Sequence, residues 1–560
     1  MTNMQIVIPM SGFGERFRQA GYIVPKPLIE VEGKPIIAHV VDMFPGEKNF
    51  IFICNQDHLN EPNYQMAKII NVCCPTGRIV GISSHKLGPI HAVQQVEHML
   101  DPTQPVIVNY CDFTCYWDWQ HFKKFVKQTA CAGAIPAYKG FHPHTLGSTN
   151  YAYMRHTNGW VDDIQEKQPY TSNRMDEFAS SGTYYFDTAQ RMKDAFFLTK
   201  QKNLNVGGEY YVSLAYKSVI DGDNLVAVYP LQHFMQWGTP EDVAEYNVWS
   251  KAFKQLIKKD SFKHKPQGSL IVPMAGLGQR FSNEGYALTK PLIPVSGLPM
   301  VAQATRDLPK AKQQVFVLRD DMLGRDAVVN ELLNLYPRAI IKKINYITDG
   351  QACTATIGLD ALKEELGNVP EPITIGACDN GAIYSQTAFN KLLDNEDVDV
   401  IVWAVRGYPN ALRHPKMFGW IKEEDGRISA ISVKTPLECP AIDPIVLGTF
   451  TFKRIGDFRQ AVASLIARDG RINGEFYLDS CINDAIQLGL RCYVFDVDSY
   501  LCWGTPNDLR TFEYWQSCFH KWQHHPYRLE LDKRVPEEQL SDLNQKYKAF
   551  FPQPMANKHD

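Results

Sequence analysis

Short apolar runs recur along this chain, and helix-length segments of mixed polar and apolar residues separate them. A short apolar run between such segments is typical of a buried strand. Strands that alternate with helices favour a mostly parallel sheet with helices on both faces. The pattern therefore predicts an α/β fold of three layers. The predicted strands include residues 5–9, 50–54, 106–109, 315–318 and 373–375.

The order of strand, loop and helix occurs twice, and the residues of the loop repeat with it. The first copy has the sequence Ile-Pro-Met-Ser-Gly-Phe-Gly-Glu-Arg-Phe, and the second has Val-Pro-Met-Ala-Gly-Leu-Gly-Gln-Arg-Phe. Gly276 and Lys290 each follow their counterparts, Gly12 and Lys26, by 264 residues. A repeat over this distance indicates two whole domains in tandem.

The second half of the chain matches the first along most of its length. An aspartate follows an apolar strand in both copies, at Asp112 and Asp379. The motifs Lys-x-Pro, Gly-Glu-Tyr/Phe-Tyr and Trp-Gly-Thr-Pro also recur in the same order. The total of 560 residues exceeds what one hydrophobic core usually supports. We predict domain 1 at residues 1–255, a linker at 256–268, domain 2 at 269–525 and a polar tail at 526–560.

Composition limits the class of protein. The net charge of −3 and the pI of about 6.6 argue against nucleic acid or an anionic membrane as a partner. No apolar run reaches the length of a membrane span, and residues 1–10 lack a signal-peptide pattern. Thirteen scattered cysteines fit reduced thiols, so we expect a cytoplasmic protein. The sequence is silent on oligomeric state.

The glycine loop after the first strand of each copy has residues suited to phosphate binding. Glycine lets the backbone turn tightly, so that several N–H groups face one anion. The arginine beyond the second glycine can hold a polyphosphate with two hydrogen bonds, and the later lysine adds a second cation. A single such loop is also consistent with a steric turn and surface cations, but two at the same spacing favour a phosphate site. The residues are Gly12, Gly14, Arg16 and Lys26, then Gly276, Gly278, Arg280 and Lys290.

These motifs, as an ordered set, resemble the sugar-phosphate nucleotidyltransferases. The shared features are Gly-x-Gly-x-Arg-Phe, Lys-Pro-Leu-Ile, a strand-end Asp, Lys-x-Pro, Gly-Glu-Phe/Tyr-Tyr and Gly-Thr-Pro. The opening Pro-Met-Ala/Ser-Gly-x-Gly is most similar to the bacterial branch that serves capsule and surface-polysaccharide pathways. The resemblance covers residues 4–255 and 269–520, and it implies two Rossmann-like α/β/α domains.

In that family an oxygen of a sugar 1-phosphate attacks the α-phosphorus of an NTP, and pyrophosphate leaves. The resemblance implies five roles, each filled once in each copy. The pairs are Arg16 and Arg280 for the leaving β- and γ-phosphates, Lys26 and Lys290 for the reacting phosphates, Asp112 and Asp379 for Mg²⁺, Lys167 and Lys434 for the phosphate of the acceptor, and Glu209 and Glu475 for sugar hydroxyls. From the residues alone, each Asp also fits a helix cap, each of the second Lys pair a plain surface cation, and each Glu a structural ion pair.

The nucleotide base is expected in the segments around Gly88 and Gly350, at residues 87–91 and 348–352. These two segments are dissimilar. The resemblance therefore does not imply that the two copies bind the same base or the same substrate.

The metal site departs from the family pattern in both copies. Many members have a second metal-binding Asp two residues before the Gly-Thr pair, where this chain has Gln236 and Cys502. Asp496 and Asp498 are candidates to compensate, but only in the second copy.

The copies also differ from each other near the predicted acceptor lysine. The first has Glu166 directly before this lysine and Ser213 after the Gly-Glu motif. The second has Val433 and Asp479 at these two positions. Each copy thus keeps one acidic residue of the two, and neither is visibly inactive.

The sequence predicts a tandem nucleotidyltransferase that uses Mg²⁺. Its substrates are an NTP, with CTP or dTTP favoured, and a sugar phosphate or similar phosphorylated small molecule, for capsule or surface-polysaccharide precursors. One alternative makes one domain a degenerate nucleotide-sugar-binding regulatory domain. A second is a non-catalytic nucleotide-sugar sensor, against which the repeated cations argue. A third is a glycosyltransferase, in which the glycine loop is not expected.

Overall fold

The computed structural model describes residues 4–148, 150–258 and 265–548, which form two compact units. One unit contains the chain up to Asn247 together with Lys548, and the other contains Val248–Tyr547. We call them domain 1 and domain 2. The boundary between them lies within one long helix, Pro240–Leu256. Residues 259–264 of the predicted linker and 549–560 of the predicted tail lie outside the described residues.

Strands and helices alternate through most of domain 1. Its strands are β1 Gln5–Met10, β2 Glu30–Val31, β3 Lys34–Pro35, β4 Phe50–Asn55, β5 Arg78–Ile82, β6 Val106–Asn109, β7 Phe113–Tyr116, β8 Gly133–Tyr138, β9 Ala152–Thr157, β10 Trp160–Glu166, β11 Phe178–Ser180, β12 Thr183–Phe186, β13 Val226–Leu231 and β14 His233–Gln236. Its helices are α1 Glu15–Gln19, α2 Ile36–Asp42, α3 Gln56–Asn60, α4 Met66–Cys73, α5 Pro89–Gln94, α6 Trp119–Thr129, α7 Ala189–Gln201, α8 Val212–Asp221 and α9 Pro240–Leu256.

Domain 2 repeats this alternation. Its strands are β15 Ser269–Pro273, β16 Pro294–Val295, β17 Leu298–Pro299, β18 Gln313–Arg319, β19 Ile340–Ile344, β20 Ile373–Ile375, β21 Asn380–Ile383, β22 Val400–Val405, β23 Gly419–Glu424, β24 Arg427–Val433, β25 Ile445–Phe452, β26 Cys492–Asp496 and β27 Ser499–Cys502. Its helices are α10 Gln279–Asn283, α11 Met300–Arg306, α12 Arg325–Leu335, α13 Gln351–Leu366, α14 Gln386–Asp394, α15 Pro409–Arg413, α16 Ile455–Ala467, α17 Leu478–Gln487, α18 Pro506–Lys521 and α19 Leu540–Lys546.

The main sheets of the two domains have the same strand order. In domain 1 the order is β5-β4-β1-β6-β12-β8-β13-β10-β9-β11, and in domain 2 it is β19-β18-β15-β20-β25-β22-β26-β24-β23. Strand β25 takes the place of both β11 and β12, since it runs along β22 as those two run along β8. The repeat in the sequence therefore corresponds to a repeat of the whole fold.

The predicted α/β fold is confirmed, with one correction: the sheets are mixed rather than mostly parallel. Strands β5, β4, β1 and β6 run parallel, as do β19, β18, β15 and β20. The hairpins β9–β10 and β23–β24 are antiparallel because the two-residue turns Asn158-Gly159 and Asp425-Gly426 connect them. All four turn residues have positive φ, as tight hairpins require. Asn-Gly and Asp-Gly are thus the sequence signals for these antiparallel strands.

Helices cover both faces of the domain 1 sheet. On one face Val7 of β1 shares a fully buried cluster with Ile90 of α5 and Phe196 of α7. On the other face the rings of Phe44 and Trp119 lie 5.2 Å apart, between α2 and α6. This packing holds the carboxyl ends of the parallel strands at one edge, where ligands bind in such sheets.

The strands predicted from apolar runs are found with ends within two residues of the prediction. They are Gln5–Met10, Phe50–Asn55, Val106–Asn109, Gln313–Arg319 and Ile373–Ile375. Part of the predicted tail is folded into domain 2, where Tyr527 and Leu529 are fully buried. Among the described helices, none has the length and apolar character needed to cross a membrane.

Candidate functional site

The glycine loop of each domain connects its first strand to a short helix. Gly14 caps α1 and Gly278 caps α10, and both have a φ of 64°. This left-handed conformation is open to glycine and strained for most other residues. A Cβ atom added at Gly12 or Gly276 would meet nothing within 4 Å. The backbone of each loop therefore borders open space.

A cavity lies beside the glycine loop of each domain. In domain 2 its volume is about 480 Å³. In domain 1 two adjoining cavities, of about 230 and 270 Å³, share Lys26 and Asp112. The predicted site residues that line these cavities are Gly12, Gly14, Arg16, Lys26, Gly88, Asp112, Lys167 and Glu209 in domain 1, and Gly276, Gly278, Arg280, Lys290, Gly350, Asp379 and Glu475 in domain 2. Lys434 is not among the residues that line the domain 2 cavity.

A lysine and an aspartate form an ion pair in the cavity of each domain. Lys26 Nζ lies 2.8 Å from Oδ2 of Asp112, and Lys290 Nζ lies 2.5 Å from Oδ2 of Asp379. Burial lowers the pKa of Lys26, but the charge and hydrogen bond of Asp112, with a contribution from Cys111, raise it, and the net shift is upward. The pKa of Lys290 is also raised, for the same reasons. Both lysines therefore stay charged and suit a phosphate ligand.

Each aspartate has free space on one side. A Cβ atom at Gly238 would lie 3.3 Å from Oδ2 of Asp112, and one at Gly504 would lie 3.3 Å from Oδ2 of Asp379. Because both residues are glycine, no side chain of theirs fills this place; beside Asp379 the Cys502 sulfur borders it, 3.5 Å from the Cβ position at Gly504. Mg²⁺ often binds through one or two carboxylates, and phosphate oxygens and waters complete its shell. The residues present therefore fit a magnesium ion held jointly with a nucleotide.

Gln236 and Cys502 take the place of a second acidic ligand. Gln236 hydrogen-bonds the carboxyl of Asp242. Burial raises the pKa of the Cys502 thiol well above its usual range, which keeps the thiol neutral and a poor ligand for a hard cation. Asp496, a candidate to compensate, pairs instead with Arg406 at 3.1 Å. Each domain thus offers magnesium one strand-end carboxylate.

Lys167 and Lys434 share an unusual backbone conformation. Each directly follows a strand of the sheet, β10 or β24, and each has a φ of 60°. Such a conformation costs a residue with a side chain about 1–3 kcal/mol and occurs preferentially at functional sites. The Nζ atom of Lys167 donates to the hydroxyl of Tyr211 at 2.6 Å, and that of Lys434 donates to Tyr477 at 2.9 Å. The two domains therefore hold this lysine in the same way.

Tyr211, which lines both cavities of domain 1, and its counterpart Tyr477 contact these lysines and are missing from the sequence-based predictions. The hydroxyl of Tyr211 also donates to the carboxylate of Glu209, so it connects Lys167 to Glu209. Burial and the adjacent Glu209 raise the pKa of Tyr211 above its ordinary value, which keeps this donor protonated. Both tyrosines end the Gly-Glu-Tyr/Phe-Tyr motif, and this position is the signal that identifies them.

A carboxyl group that titrates near neutrality lies beside Lys167. The Ser213 hydroxyl donates to Oε2 of Glu166 at 2.5 Å. Burial raises the pKa of Glu166 to about 7, although the hydrogen bond from Ser213 and the charge of Lys167 act in the opposite direction. Glu166 also lines the 270 Å³ cavity with Arg16. A hydroxyl-bearing ligand in this cavity would therefore meet a carboxyl as well as cations.

Gly88 and Gly350 allow close contact between two segments of each domain. Gly88 has a φ of 83°, and a Cβ atom there would lie 2.6 Å from the backbone nitrogen of Tyr210. Gly350 has a φ of 123°, and its Cβ would lie 2.7 Å from the backbone of Phe476. Only glycine meets both requirements without strain. These glycines join the predicted base-binding segments to the Gly-Glu motif.

The surroundings of these two glycines differ in chemistry. In domain 1 the rings of His85 and His91 lie 4.6 Å apart, and Lys200 Nζ is 3.3 Å from Nδ1 of His91. Burial, and then the charge of Lys200, lowers the pKa of both histidines. In domain 2 the hydroxyls of Thr348 and Thr354 lie 2.6 Å apart. The two domains therefore offer different groups to a ligand here.

Comparison with known proteins finds a family model that matches a segment within the first half of the chain. Residues 6–223 match the family model described as nucleotidyl transferase. A relative from Burkholderia multivorans, named bifunctional protein GlmU, is 28% identical over 239 residues, which are 40% of this chain and 47% of that protein. A protein of the same name from Bacillus cereus is 24% identical over 240 residues, 42% and 48% of the two chains. The chain thus spans about half the length of these relatives.

Similar solved structures cover less than half of this chain. A nucleoside-diphosphate-sugar pyrophosphorylase from Vibrio cholerae RC9 is 20% identical, with a TM-score of 0.37 over 43% of this chain and 98% of that one. An inositol-1-phosphate CTP transferase from T. maritima is 15% identical, with a TM-score of 0.35 over 45% and 96% of the two chains.

Proposed function

We propose that both domains of this chain, of which residues 6–223 match the nucleotidyl transferase family model, transfer a nucleotidyl group from an NTP to a phosphorylated small molecule. Pyrophosphate is the second product. The repeated strand order and the repeated cavity extend this proposal from the matched domain to domain 2.

The strongest support is the group of charges beside each glycine loop. In domain 1 this group is Arg16 with the ion pair of Lys26 and Asp112, and domain 2 repeats it. Two cations suit the charge of a triphosphate, while the carboxylate suits a metal ion bound to it. A protein that only recognised a nucleotide would not need the same lysine–aspartate pair in both domains.

In the proposed reaction an oxygen of the acceptor phosphate forms a bond to the α-phosphorus of the NTP. The bond from this phosphorus to the bridging oxygen of the β-phosphate breaks, and its electron pair leaves with pyrophosphate. No bond to the protein forms, so positioning and charge neutralisation provide the rate enhancement. We assign Arg16 to the leaving phosphates, Lys26 to the α-phosphate and Lys167 to the acceptor phosphate. Arg280, Lys290 and Lys434 have these roles in domain 2.

We propose that Asp112 and Asp379 hold Mg²⁺. When bound, this ion supplies positive charge to the phosphate oxygens of the nucleotide. The protein's own part is to orient one carboxylate oxygen toward the open side that Gly238 or Gly504 leaves free. The neighbouring lysine keeps this carboxylate in position before substrate arrives.

We propose CTP or dTTP as the donor and a sugar phosphate or polyol phosphate as the acceptor, in the synthesis of capsule or surface-polysaccharide precursors. The resemblance to the capsule-pathway branch supports this choice. The different residues beside Gly88 and Gly350 support different substrates for the two domains. All thirteen cysteines have free thiols, which fits a reducing cytoplasm.

A pyrophosphate-release screen tests this function. The full chain with Mg²⁺ is incubated with ATP, GTP, CTP, UTP or dTTP against a panel of sugar 1-phosphates, polyol phosphates and phosphorylated amino-acid derivatives. We expect release that depends on both the NTP and the acceptor in at least one combination. A folded chain that releases pyrophosphate in none of them would contradict catalysis and favour a nucleotide-sugar sensor.

A further inference from the structure

The two domains place an acidic residue near the acceptor lysine by different routes. In domain 1 the acid is Glu166, the last residue of β10, directly before Lys167. In domain 2 the last residue of β24 is Val433, so the strand offers no charge there. The acid of domain 2 is Asp479, the second residue of α17.

In domain 1 the acid reaches from the strand toward the helix. Glu166 pairs with Ala152 across the β9–β10 hairpin. Its carboxylate accepts the hydroxyl hydrogen of Ser213, the second residue of α8, at 2.5 Å. The carboxylate therefore lies between the hairpin and the start of the helix.

In domain 2 the acid reaches from the helix toward the same hairpin. Val433 pairs with Gly419 across β23–β24, as Glu166 pairs with Ala152. A Cβ atom added at Gly419 would lie only 2.4 Å from Oδ2 of Asp479. Directly opposed residues of an antiparallel pair point to the same face. The Asp479 carboxylate therefore lies over the face of the hairpin that corresponds to the Glu166 face in domain 1.

Three residues thus change together between the domains. Domain 1 has Ala, Glu and Ser, and domain 2 has Gly, Val and Asp at the corresponding positions. The charge of the neighbouring lysine acts on the carboxyl in both cases, Lys167 on Glu166 and Lys434 on Asp479. The small residue Gly419 leaves the space that the carboxylate of Asp479 occupies.

We propose that Asp479 is the acceptor-binding carboxyl of domain 2, the spatial counterpart of Glu166, and that the two domains contact an acceptor hydroxyl from opposite walls of the site. This inference rests on the proposed function, because it requires a phosphorylated acceptor beside Lys434. The acceptor is a phosphorylated polyhydroxyl compound, and the hydroxyl that each domain selects differs in position. The two domains therefore have different acceptor preferences.

A helix-terminal acid without this role would have a different environment. Aspartate in the first turn of a helix often serves the helix dipole alone and faces water. Asp479 instead has an oxygen within contact distance of where a side chain at Gly419 would begin, on the strand that pairs with the strand preceding Lys434. Stabilising a helix dipole would not require the three residues to differ between the domains. Helix α8 has Ser213 rather than an acid at the corresponding position of its first turn.

The test uses the full chain with Arg16→Ala, so that pyrophosphate release reports domain 2. Asp479→Ser is expected to raise the KM for the acceptor found in the screen by about 10- to 100-fold, the range for a lost hydrogen bond to a charged group. The KM for the NTP should stay unchanged. Gly419→Ala should raise the acceptor KM as well, because its Cβ displaces the carboxylate.

The rescue variant transfers the domain 1 arrangement to domain 2. Gly419→Ala, Val433→Glu and Asp479→Ser together should recover most of the acceptor affinity lost in Asp479→Ser, or shift the preference to the acceptor of domain 1. Methyl phosphate, which has no alcohol hydroxyl, is the control inhibitor, and its inhibition constant should not respond to Asp479→Ser. Asp479→Asn, which keeps the side-chain size, replaces Asp479→Ser if circular dichroism shows that the latter is unfolded.

Two results would overturn the inference while leaving the proposed function intact. One is pyrophosphate release with an unchanged acceptor KM in Asp479→Ser or Asp479→Asn. The other is a triple variant that binds neither the acceptor of domain 2 nor that of domain 1 better than Asp479→Ser does. A chain that releases no pyrophosphate with any acceptor would overturn the proposed function, and this inference with it.

Discussion

The Nζ atom of Lys26 lies 2.8 Å from a carboxylate oxygen of Asp112, and the two residues are 86 positions apart in the chain. Lys290 and Asp379 form the same pair in domain 2. Each pair joins the segment after the first short helix of its domain to the residues that follow strand β6 or β20. In the free protein the two charges neutralise each other. Under the proposed function, a phosphate group of the nucleotide binds the lysine and the metal ion binds the aspartate.

Removing the charge of Asp112 should weaken the binding of Mg²⁺ in domain 1 and so reduce the activity of that domain. The background variant is Arg280→Ala, in which only domain 1 is expected to release pyrophosphate. In this background Asp112→Asn should lower the rate of release about 100-fold or more, because the negative charge of the transition state is no longer stabilised by the bound metal ion. It should also raise the Mg²⁺ concentration needed for half-maximal rate. Asp221→Asn is the matched control, because Asp221 pairs with Lys202 on the surface. A wild-type Mg²⁺ dependence in Asp112→Asn would contradict the metal assignment.

Gly88→Ala should destabilise domain 1 more than an ordinary substitution at positive φ. The added Cβ meets backbone of Tyr210 at 2.6 Å, which cannot move as a side chain would. Gly140→Ala is the control, because Gly140 has a similar φ of 85° and nothing within 4 Å of its Cβ position. We expect chemical denaturation to show a loss larger for Gly88→Ala by about 2 kcal/mol. Equal losses would mean that the contact with Tyr210 is unimportant.

The strain at Lys167 predicts an unusual order of stabilities. Asparagine tolerates the left-handed conformation better than alanine. The free energy of unfolding of Lys167→Asn, measured by chemical denaturation, should therefore exceed that of Lys167→Ala by about 1 kcal/mol. Both variants should lose acceptor binding. At Lys217, within helix α8, the order should reverse, because alanine is the better helix former. The same order at both positions would argue against strain at Lys167.

Glu166 should make stability depend on pH. Its pKa is about 7 in the folded protein and 4.5 in the unfolded chain, so folding favours the protonated form. This contribution is fully present below pH 4.5 and is lost as the pH rises to about 7. Glu166→Gln, which stays neutral, should therefore gain thermal stability relative to the wild type between about pH 5 and pH 8. Glu241→Gln, at an exposed glutamate of α9, controls for the loss of one charge.

The outcome of this experiment depends on the charged and hydrogen-bonding groups around Glu166. Lys167 and Ser213 favour its ionised form, and Glu209 opposes it. A difference in melting temperature that stays constant across this range would show that burial does not hold the proton on Glu166.

The candidate site was partly predictable because its residues belong to short motifs that recur. Arg16, Lys26 and Asp112 could be identified since the repeat preserves their type and spacing. The antiparallel hairpins were also encoded locally, in their Asn-Gly and Asp-Gly turns, although apolar runs alone favoured parallel strands. Local patterns are informative wherever a turn or a loop determines the geometry.

Contacts between distant segments could not be predicted in this way. The bond from Ser213 to Glu166 joins residues 47 positions apart and depends on how α8 packs against β10. The sequence shows the residue types at Val433 and Asp479. That both lie on the same face of the β23–β24 hairpin follows only from the register that pairs Val433 with Gly419. Packing and register, rather than composition, decide which of these side chains meet.

Pyrophosphate release by Arg16→Ala, Arg280→Ala and the double variant tests the central claim most directly. The claim is that each glycine loop, with its arginine, holds the triphosphate of its own NTP. It predicts that each single variant loses one activity and keeps the other, and that the double variant loses both. One variant that loses all activity beside one that loses none would indicate a single catalytic domain. Full turnover with every NTP in both single variants and in the double variant would contradict the account.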